Sequence, residues 1–377
     1  MNLMDCRTPA QLIEAHLAER GWTQRVLALI LGVNEQVISR ILNGSKAVDA
    51  EWALKLRAVL GIDPQRLMQL QKEYELAKAQ IELRLDPAMT TRAALFSALP
   101  IAEMVKRGWL NGIADVRHPE LEIAVCRFFG KDSLDEVEIL PHAAKKTDVL
   151  GDATPAQMAW LYRVRQMAID FPVSKYTQSK LEAAVGKLRP LLVSAEGVRK
   201  VPRIMMEAGI RFVIVECLPG ARIDGVCCWL DSSKPVIAMS LRFDRIDNFW
   251  FVLRHEIEHV LRGHGQGQVR LDTDMEKTKA EADIPEDERV ANSAASNFCV
   301  PAERLRDFIA RKAPVFAERD IRGFAATLQI HPGIVAGQLQ HHTKRYELFR
   351  NHLVGVRSII LPNAEHDGWG DVAQVQV

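Results

Sequence analysis

The five-letter sequence HEIEH at residues 255–259 constrains this chain more than any other stretch. Apolar residues flank it at helical spacing and Gly263 follows as a stop, so we predict a helix here. Residues at i and i+4 share a helix face, so His255 and His259 can bind one zinc ion. Glu256 beside them can accept a proton from a metal-bound water. The motif alone also fits a helix with two packed or solvated histidines.

A third metal ligand is expected downstream of the motif. Arg262 and Gly265 occupy the Gly and last His positions of HExxHxxGxxH, so that pattern is absent. A carboxylate is the other usual ligand. Asp283 as a cap and Pro285 in the first turn predict a second helix, from which Glu288 projects.

Short strands rich in Val, Ile, Phe and Trp are predicted before the motif, at residues 211–217, 225–229 and 235–240. A small sheet followed by such a helix fits zincins, in which a peptide substrate can pair with the edge strand. We predict that the residues from Asn363 onward fray at the end of the chain.

The same region resembles the ImmA/IrrE metallopeptidase family over roughly residues 201–345. The resemblance rests on HEIEH, on ExxAN at residues 288–292 and on FCVP at 298–301. It implies zinc as cofactor and peptide-bond hydrolysis as the activity. The residues that it implies are the ligands His255, His259 and Glu288 and the catalytic base Glu256.

Glu258 departs from that family, which usually has a small residue before the second histidine. Its i, i+4 neighbour Arg254 predicts a salt bridge on the helix flank. The competing hypothesis places Glu258 near the metal. His264 is a candidate for stabilising an oxyanion or an ordinary surface histidine, and the sequence does not assign it.

The first 80 residues contain five predicted helices separated by glycines and polar caps: 9–20, 24–31, 35–42, 50–60 and 64–80. The short second and third helices with a tight turn form a helix-turn-helix pattern. The sequence of residues 23–44 resembles the Xre family, and that of residues 8–80 resembles HigA-type antitoxins. The resemblance implies an operator-binding repressor that also binds a toxin encoded nearby.

In such a fold the third helix enters the major groove and presents its first residues to base edges. Gln36 can form hydrogen bonds with adenine, and Arg40 can donate to guanine or to a phosphate. Glu35 can accept a hydrogen bond from cytosine. The predicted DNA-binding set is Gln24, Glu35, Gln36, Ser39 and Arg40. The alternative is a solvated polar face without DNA function.

Charge points to a dimer on DNA. Residues 1–80 hold ten Lys and Arg against nine Asp and Glu, and the whole chain carries +1. One weakly charged unit would bind DNA poorly in salt. We therefore expect a homodimer on a two-fold operator.

No export signal and no apolar run long enough to span a membrane stand out, and the six cysteines form no CxxC pair. These features favour a cytoplasmic protein without a membrane partner.

The predicted fold class is α+β and mostly helical. We expect a helix-turn-helix domain (1–85), a helical linker region (86–200) and a zincin-like domain with a small sheet and a helical tail (201–377). The leading hypothesis is an antitoxin-type transcriptional repressor carrying a zinc metallopeptidase-like domain. Two alternatives stay open: an active endopeptidase that cleaves a repressor or toxin, and a zinc site that only senses or stabilises.

Overall fold

The computed structural model describes residues 6–82, 87–137, 153–266, 270–273 and 284–375. Its internal contacts separate two units, Met1–Thr90 and Thr91–Val377. The described chain is mostly helical with one small sheet, as the predicted fold class requires. Within these residues no helix is long and apolar enough to cross a membrane.

Five helices build the first unit, and local capping sets their bounds. The side chain before each of the first four accepts a hydrogen bond from a backbone N–H in the first turn. These caps are Thr8, Thr23, Asn34 and Asp49. The helices are α1 (Pro9–Arg20), α2 (Gln24–Leu31), α3 (Glu35–Leu42), α4 (Ala50–Leu60) and α5 (Pro64–Glu82). The first four have the predicted bounds, and α5 runs two residues further.

The core of the first unit lies between these helices and includes Leu27, Ile38, Leu56 and Leu67, each at most 1% exposed. Helix α2 buries only Leu27 and Ala28, although most of its residues are apolar. The outer face of α2 is therefore apolar and exposed.

Twelve further helices lie in the described residues that follow. They are α6 (Pro87–Ala98), α7 (Ile101–Lys106), α8 (Leu121–Phe128), α9 (Pro155–Ile169), α10 (Gln178–Leu188), α11 (Val201–Glu207), α12 (Ile246–Leu261), α13 (Glu286–Cys299), α14 (Ala302–Lys312), α15 (Glu318–Leu328), α16 (Pro332–Thr343) and α17 (Arg357–Ile360).

One five-stranded sheet runs through the second unit in the order β4-β2-β3-β1-β5. Strand β1 is parallel to β3 and to β5, whereas β2 is antiparallel to β3 and to β4. The strands are β1 (Arg211–Val215), β2 (Ile223–Trp229), β3 (Pro235–Met239), β4 (Arg270–Thr273) and β5 (Glu365–Asp367). Beside the three predicted strands, the structure therefore adds an edge strand on each side.

Both faces of this sheet are buried. Phe212 and Ile214 of β1 join one apolar core with α12, whereas Val213 and Val215 join a second core. This alternation follows from the two-residue period of a strand.

The second core contradicts the linker interpretation of residues 86–200. Its members between Leu95 and Ala168 pack against the sheet, and α9 lies on β1. Trp160 Nε1 donates a hydrogen bond to Val215 O at 3.0 Å. A strand that is apolar on both faces needs a covering layer on each, and these helices supply one of them.

The predicted fraying from Asn363 is wrong for the described residues, because β5 pairs with β1 and carries a buried polar cluster. Asp367 accepts hydrogen bonds from Trp109 Nε1 (2.6 Å) and Arg163 Nη2 (2.6 Å). The side chains of Arg163 and Asp367 are 1% and 0% exposed. The cluster joins β5 to the helical layer on one face of the sheet.

We predict that Asp367→Asn lowers the free energy of unfolding of the second unit by about 3–5 kcal/mol, because it leaves the buried Arg163 charge uncompensated. Urea denaturation followed by tryptophan fluorescence measures the change, since five of the seven tryptophans lie beyond residue 90. Asp371→Asn is the control: its side chain is 73% exposed, so the change should stay within about 0.5 kcal/mol. Equal effects of the two variants would contradict a structural role for the buried pair.

Candidate DNA-reading surface and metal centre

Helix α12 brings the two motif histidines together in the interior of the second unit. His255 is fully buried and His259 is 4% exposed. Their Nε2 atoms lie 2.9 Å apart, one helical turn from each other. The predicted shared face of the helix is therefore present, and it faces inward.

Helix α13 packs along α12 and supplies the third member of the cluster. Glu288 Oε2 lies 3.3 Å from His255 Nε2, and Glu288 Oε1 lies 3.5 Å from His259 Nε2. The helix begins at Glu286, with Pro285 at the N-cap position. The predicted cap, Asp283, lies outside the described residues.

The cluster has the donor set and nearly the size that a zinc ion needs. Ligand atoms about 2.0–2.1 Å from a tetrahedral ion lie about 3.3 Å from one another. The two Nε2 atoms lie 2.9 Å apart, and each lies 3.3–3.5 Å from a different oxygen of the Glu288 carboxylate, so the donor atoms face one another at about this separation. Two imidazoles and one carboxylate are also a usual ligand set of catalytic zinc. The residues therefore fit the metal that the sequence predicts.

Glu256, the predicted base, is fully buried on α12 beneath strand β2. A Cβ atom added to Gly225 of β2 would collide with the Glu256 carboxylate and lie 2.9 Å from Val252 Cγ1. Only glycine leaves room for the carboxylate at this point. Sequence reasoning missed Gly225, although an isolated glycine within an apolar strand is a signal of close approach.

Glu258 forms two salt bridges, with the arginines four residues before and four residues after it. Its carboxylate accepts hydrogen bonds from Arg254 Nη2 at 2.8 Å and from Arg262 Nε at 2.9 Å. Burial alone would raise the pKa of Glu258, but the two guanidinium groups outweigh it and hold that pKa below its usual range. The predicted pairing with Arg254 is confirmed, and Arg262 adds a second partner.

The residues before α12 fix where the helix begins. Asp244 Oδ1 accepts hydrogen bonds from the backbone N–H groups of Val356 (2.7 Å) and Arg357 (2.8 Å). Arg245 Nη2 donates to Asp247 Oδ2 at 2.6 Å and to Gln340 Oε1, on α16, at 3.0 Å. Asp244, Arg245 and Asp247 thus orient the entry to α12.

His264 lies in the turn after α12 and is half-buried. Its Nδ1 atom is 2.9 Å from His259 Nδ1. It is therefore in contact with a member of the candidate metal cluster, which neither sequence hypothesis for this residue anticipated.

In the first unit, α2 and α3 pack together as the predicted helix-turn-helix. Ile38 and Ile41 of α3 are buried, and the opposite side of the helix is polar. All five predicted DNA-contacting residues are exposed: Gln24, Glu35, Gln36, Ser39 and Arg40. The N-terminal end of α3 thus presents polar side chains to solvent, as a major-groove reader requires.

Comparison with known proteins supports the helix-turn-helix interpretation of the first unit. Residues 13–67 match the helix-turn-helix family. The chain is also 31% identical over 80 residues to YddM, described as an uncharacterised HTH-type transcriptional regulator of Escherichia coli (strain K12). That match covers 85% of the relative and 21% of this chain. The chain therefore belongs to the HTH-type transcriptional regulators, and its first unit is a DNA-binding unit.

We predict that Gln36→Ala and Arg40→Ala each weaken DNA binding by about 1–3 kcal/mol, because each removes a side chain that contacts a base edge or phosphate. Gel shifts with DNA from upstream of the protein's own gene measure the affinity. Lys72→Ala is a matched control, because Lys72 is an exposed cation on α5, which packs on α1 and α4. Equal weakening in all three variants would show that α3 does not read the DNA.

Proposed function

We propose that this transcriptional regulator carries a zinc centre in its second unit, with His255, His259 and Glu288 as ligands. The observation that supports the proposal most directly is the convergence of these three side chains from two packed helices, with one ligand atom of each within 4.8 Å of the others. Two buried imidazoles and one partly exposed carboxylate thus face one another and offer three ligand atoms to a single ion.

The same residues support peptidase chemistry. A zinc ion held by these side chains would supply Lewis acidity toward a water molecule and a peptide carbonyl. Glu256 follows His255 directly on α12, where its carboxylate can accept the proton of that water and later return it to the leaving amine. Gly225 maintains the space that this carboxylate occupies.

We predict about one zinc ion per chain in the purified protein and its loss in Glu288→Ala, because two imidazoles alone bind zinc weakly. Metal analysis of the full chain after dialysis measures the content. Glu258→Gln is the matched control, since Glu258 lies one residue from His259 but pairs with Arg254 and Arg262. It should keep the metal. A folded wild-type chain without zinc would contradict the metal centre and leave the DNA-binding function unaffected.

We further propose that the protein is an antitoxin-type repressor of its own operon, which acts in the cytoplasm and binds a toxin encoded nearby. The support is the likeness of residues 8–80 to HigA-type antitoxins, joined to an exposed polar face on α3. The alternative with support from the site is an endopeptidase that cleaves a repressor or toxin.

A homodimer is the proposed DNA-binding form. Ten cationic against nine acidic residues in the first 80 leave one unit too weakly charged to hold DNA in salt by itself. Two copies on a two-fold operator double the contacts. The mass of the wild-type complex from the gel-shift experiment, two chains per duplex, checks this part of the proposal.

Co-expression with the neighbouring gene separates the antitoxin from the peptidase. If that gene encodes the toxin, its product should inhibit growth and the wild-type chain should relieve the inhibition. We expect Glu256→Gln to relieve it equally, because binding does not need the base. Relief by the wild type alone would instead assign the effect to peptide cleavage. Relief by neither chain would contradict the antitoxin proposal.

A further inference from the structure

The turn that follows α12 places a third imidazole against the metal cluster. His264 and His259 approach each other through their Nδ1 atoms, at 2.9 Å. The backbone N–H of His264 also donates to His259 O at 2.9 Å. The two residues are thus joined at both the side chain and the backbone.

Strand β2 holds this turn in place from the other side. Trp229 Nε1 donates to His264 O at 2.8 Å, and the Cys227 thiol lies 3.5 Å from the same oxygen. Gly265 follows with a φ of +81°, and a Cβ there would lie 2.7 Å from Cys227 O. The turn is packed so closely on β2 that His264 has a fixed position relative to α12.

The geometry excludes His264 as a further ligand through the nitrogen that contacts His259. The Nε2 atom of His259 faces His255 and Glu288, whereas its Nδ1 atom faces His264. The two nitrogens of an imidazole point in well-separated directions, so His264 Nδ1 lies on the side of the ring away from the cluster. The same placement argues against an oxyanion-stabilising role for that atom.

A histidine that binds a metal through Nε2 has no proton there, so in its neutral form the proton resides on Nδ1. The His259 Nδ1–H group then needs an acceptor, and His264 Nδ1 is at hydrogen-bond distance. Such acceptors fix the tautomer and the ring orientation of metal-binding histidines.

We propose that His264 is a positioning residue, which accepts a hydrogen bond from His259 and thereby holds His259 Nε2 toward the metal. This inference rests on the zinc centre proposed above. The contact between the turn and β2 then serves to hold this acceptor, because Trp229 and Gly265 keep His264 in place.

Two variants of similar shape test the role of His264. In His264→Asn the side-chain amide oxygen can take about the position of Nδ1 and still accept, whereas His264→Leu offers no acceptor. Zinc affinity of the full chain, stripped with a chelator, is measured by competition with a chromogenic chelator. We expect His264→Leu to bind zinc about 10–100-fold more weakly than the wild type, and His264→Asn to recover most of that loss. His342→Ala, which removes an exposed imidazole on α16, should bind as the wild type does.

A second readout separates positioning from general destabilisation. The visible spectrum of the cobalt-substituted chain reports the geometry of the ligands, and it should change in His264→Leu and be restored in His264→Asn. If His264→Leu does not fold, His264→Ala replaces it in both measurements. Wild-type affinity in a variant without an acceptor, or equal loss in the variants with and without one, would overturn the role of His264. A wild-type chain that binds no zinc would overturn the metal centre as well.

Discussion

The packing of α12 between the sheet and helices α13 and α16 places every candidate metal-site residue of the second unit. It puts His255, Glu256 and His259 in the interior, where polar groups are costly unless they are partnered. Glu288 of α13 and His264 of the turn after α12 place polar atoms at short distances from the two histidines. The packing that buries α12 therefore also brings the members of the candidate site together.

The surroundings of α12 separate two kinds of polar residue along one helix. His255 and His259 converge on Glu288, whereas Glu258, between them in sequence, turns toward Arg254 and Arg262. A carboxylate held by two guanidinium groups is a poor competitor for a metal, because it would have to give up both salt bridges. The two salt bridges therefore hold Glu258 on the flank of α12.

The two units differ in how far their structure depends on distant contacts. In the first, polar caps, glycine stops and short connections fix the helices locally, so their bounds were predictable to within two residues. In the second, β1 is covered by helices from earlier in the chain on one face and paired with β5 from the end of the chain. Nothing in the local pattern around residues 365–367 distinguishes a strand from a frayed terminus, because the pairing partner lies about 150 residues away.

The sequence by itself determined the helix-turn-helix, the exposure of Gln36 and Arg40, and the shared face of His255 and His259. These features follow from helical periodicity and capping, which act over a few residues. Only the tertiary structure decided that the helices between residues 95 and 168 cover one face of the sheet, that Gly225 makes room for Glu256, and that His264 contacts His259. Each of these depends on which surfaces pack together, and packing joins residues whose separation in sequence carries no signal of their contact.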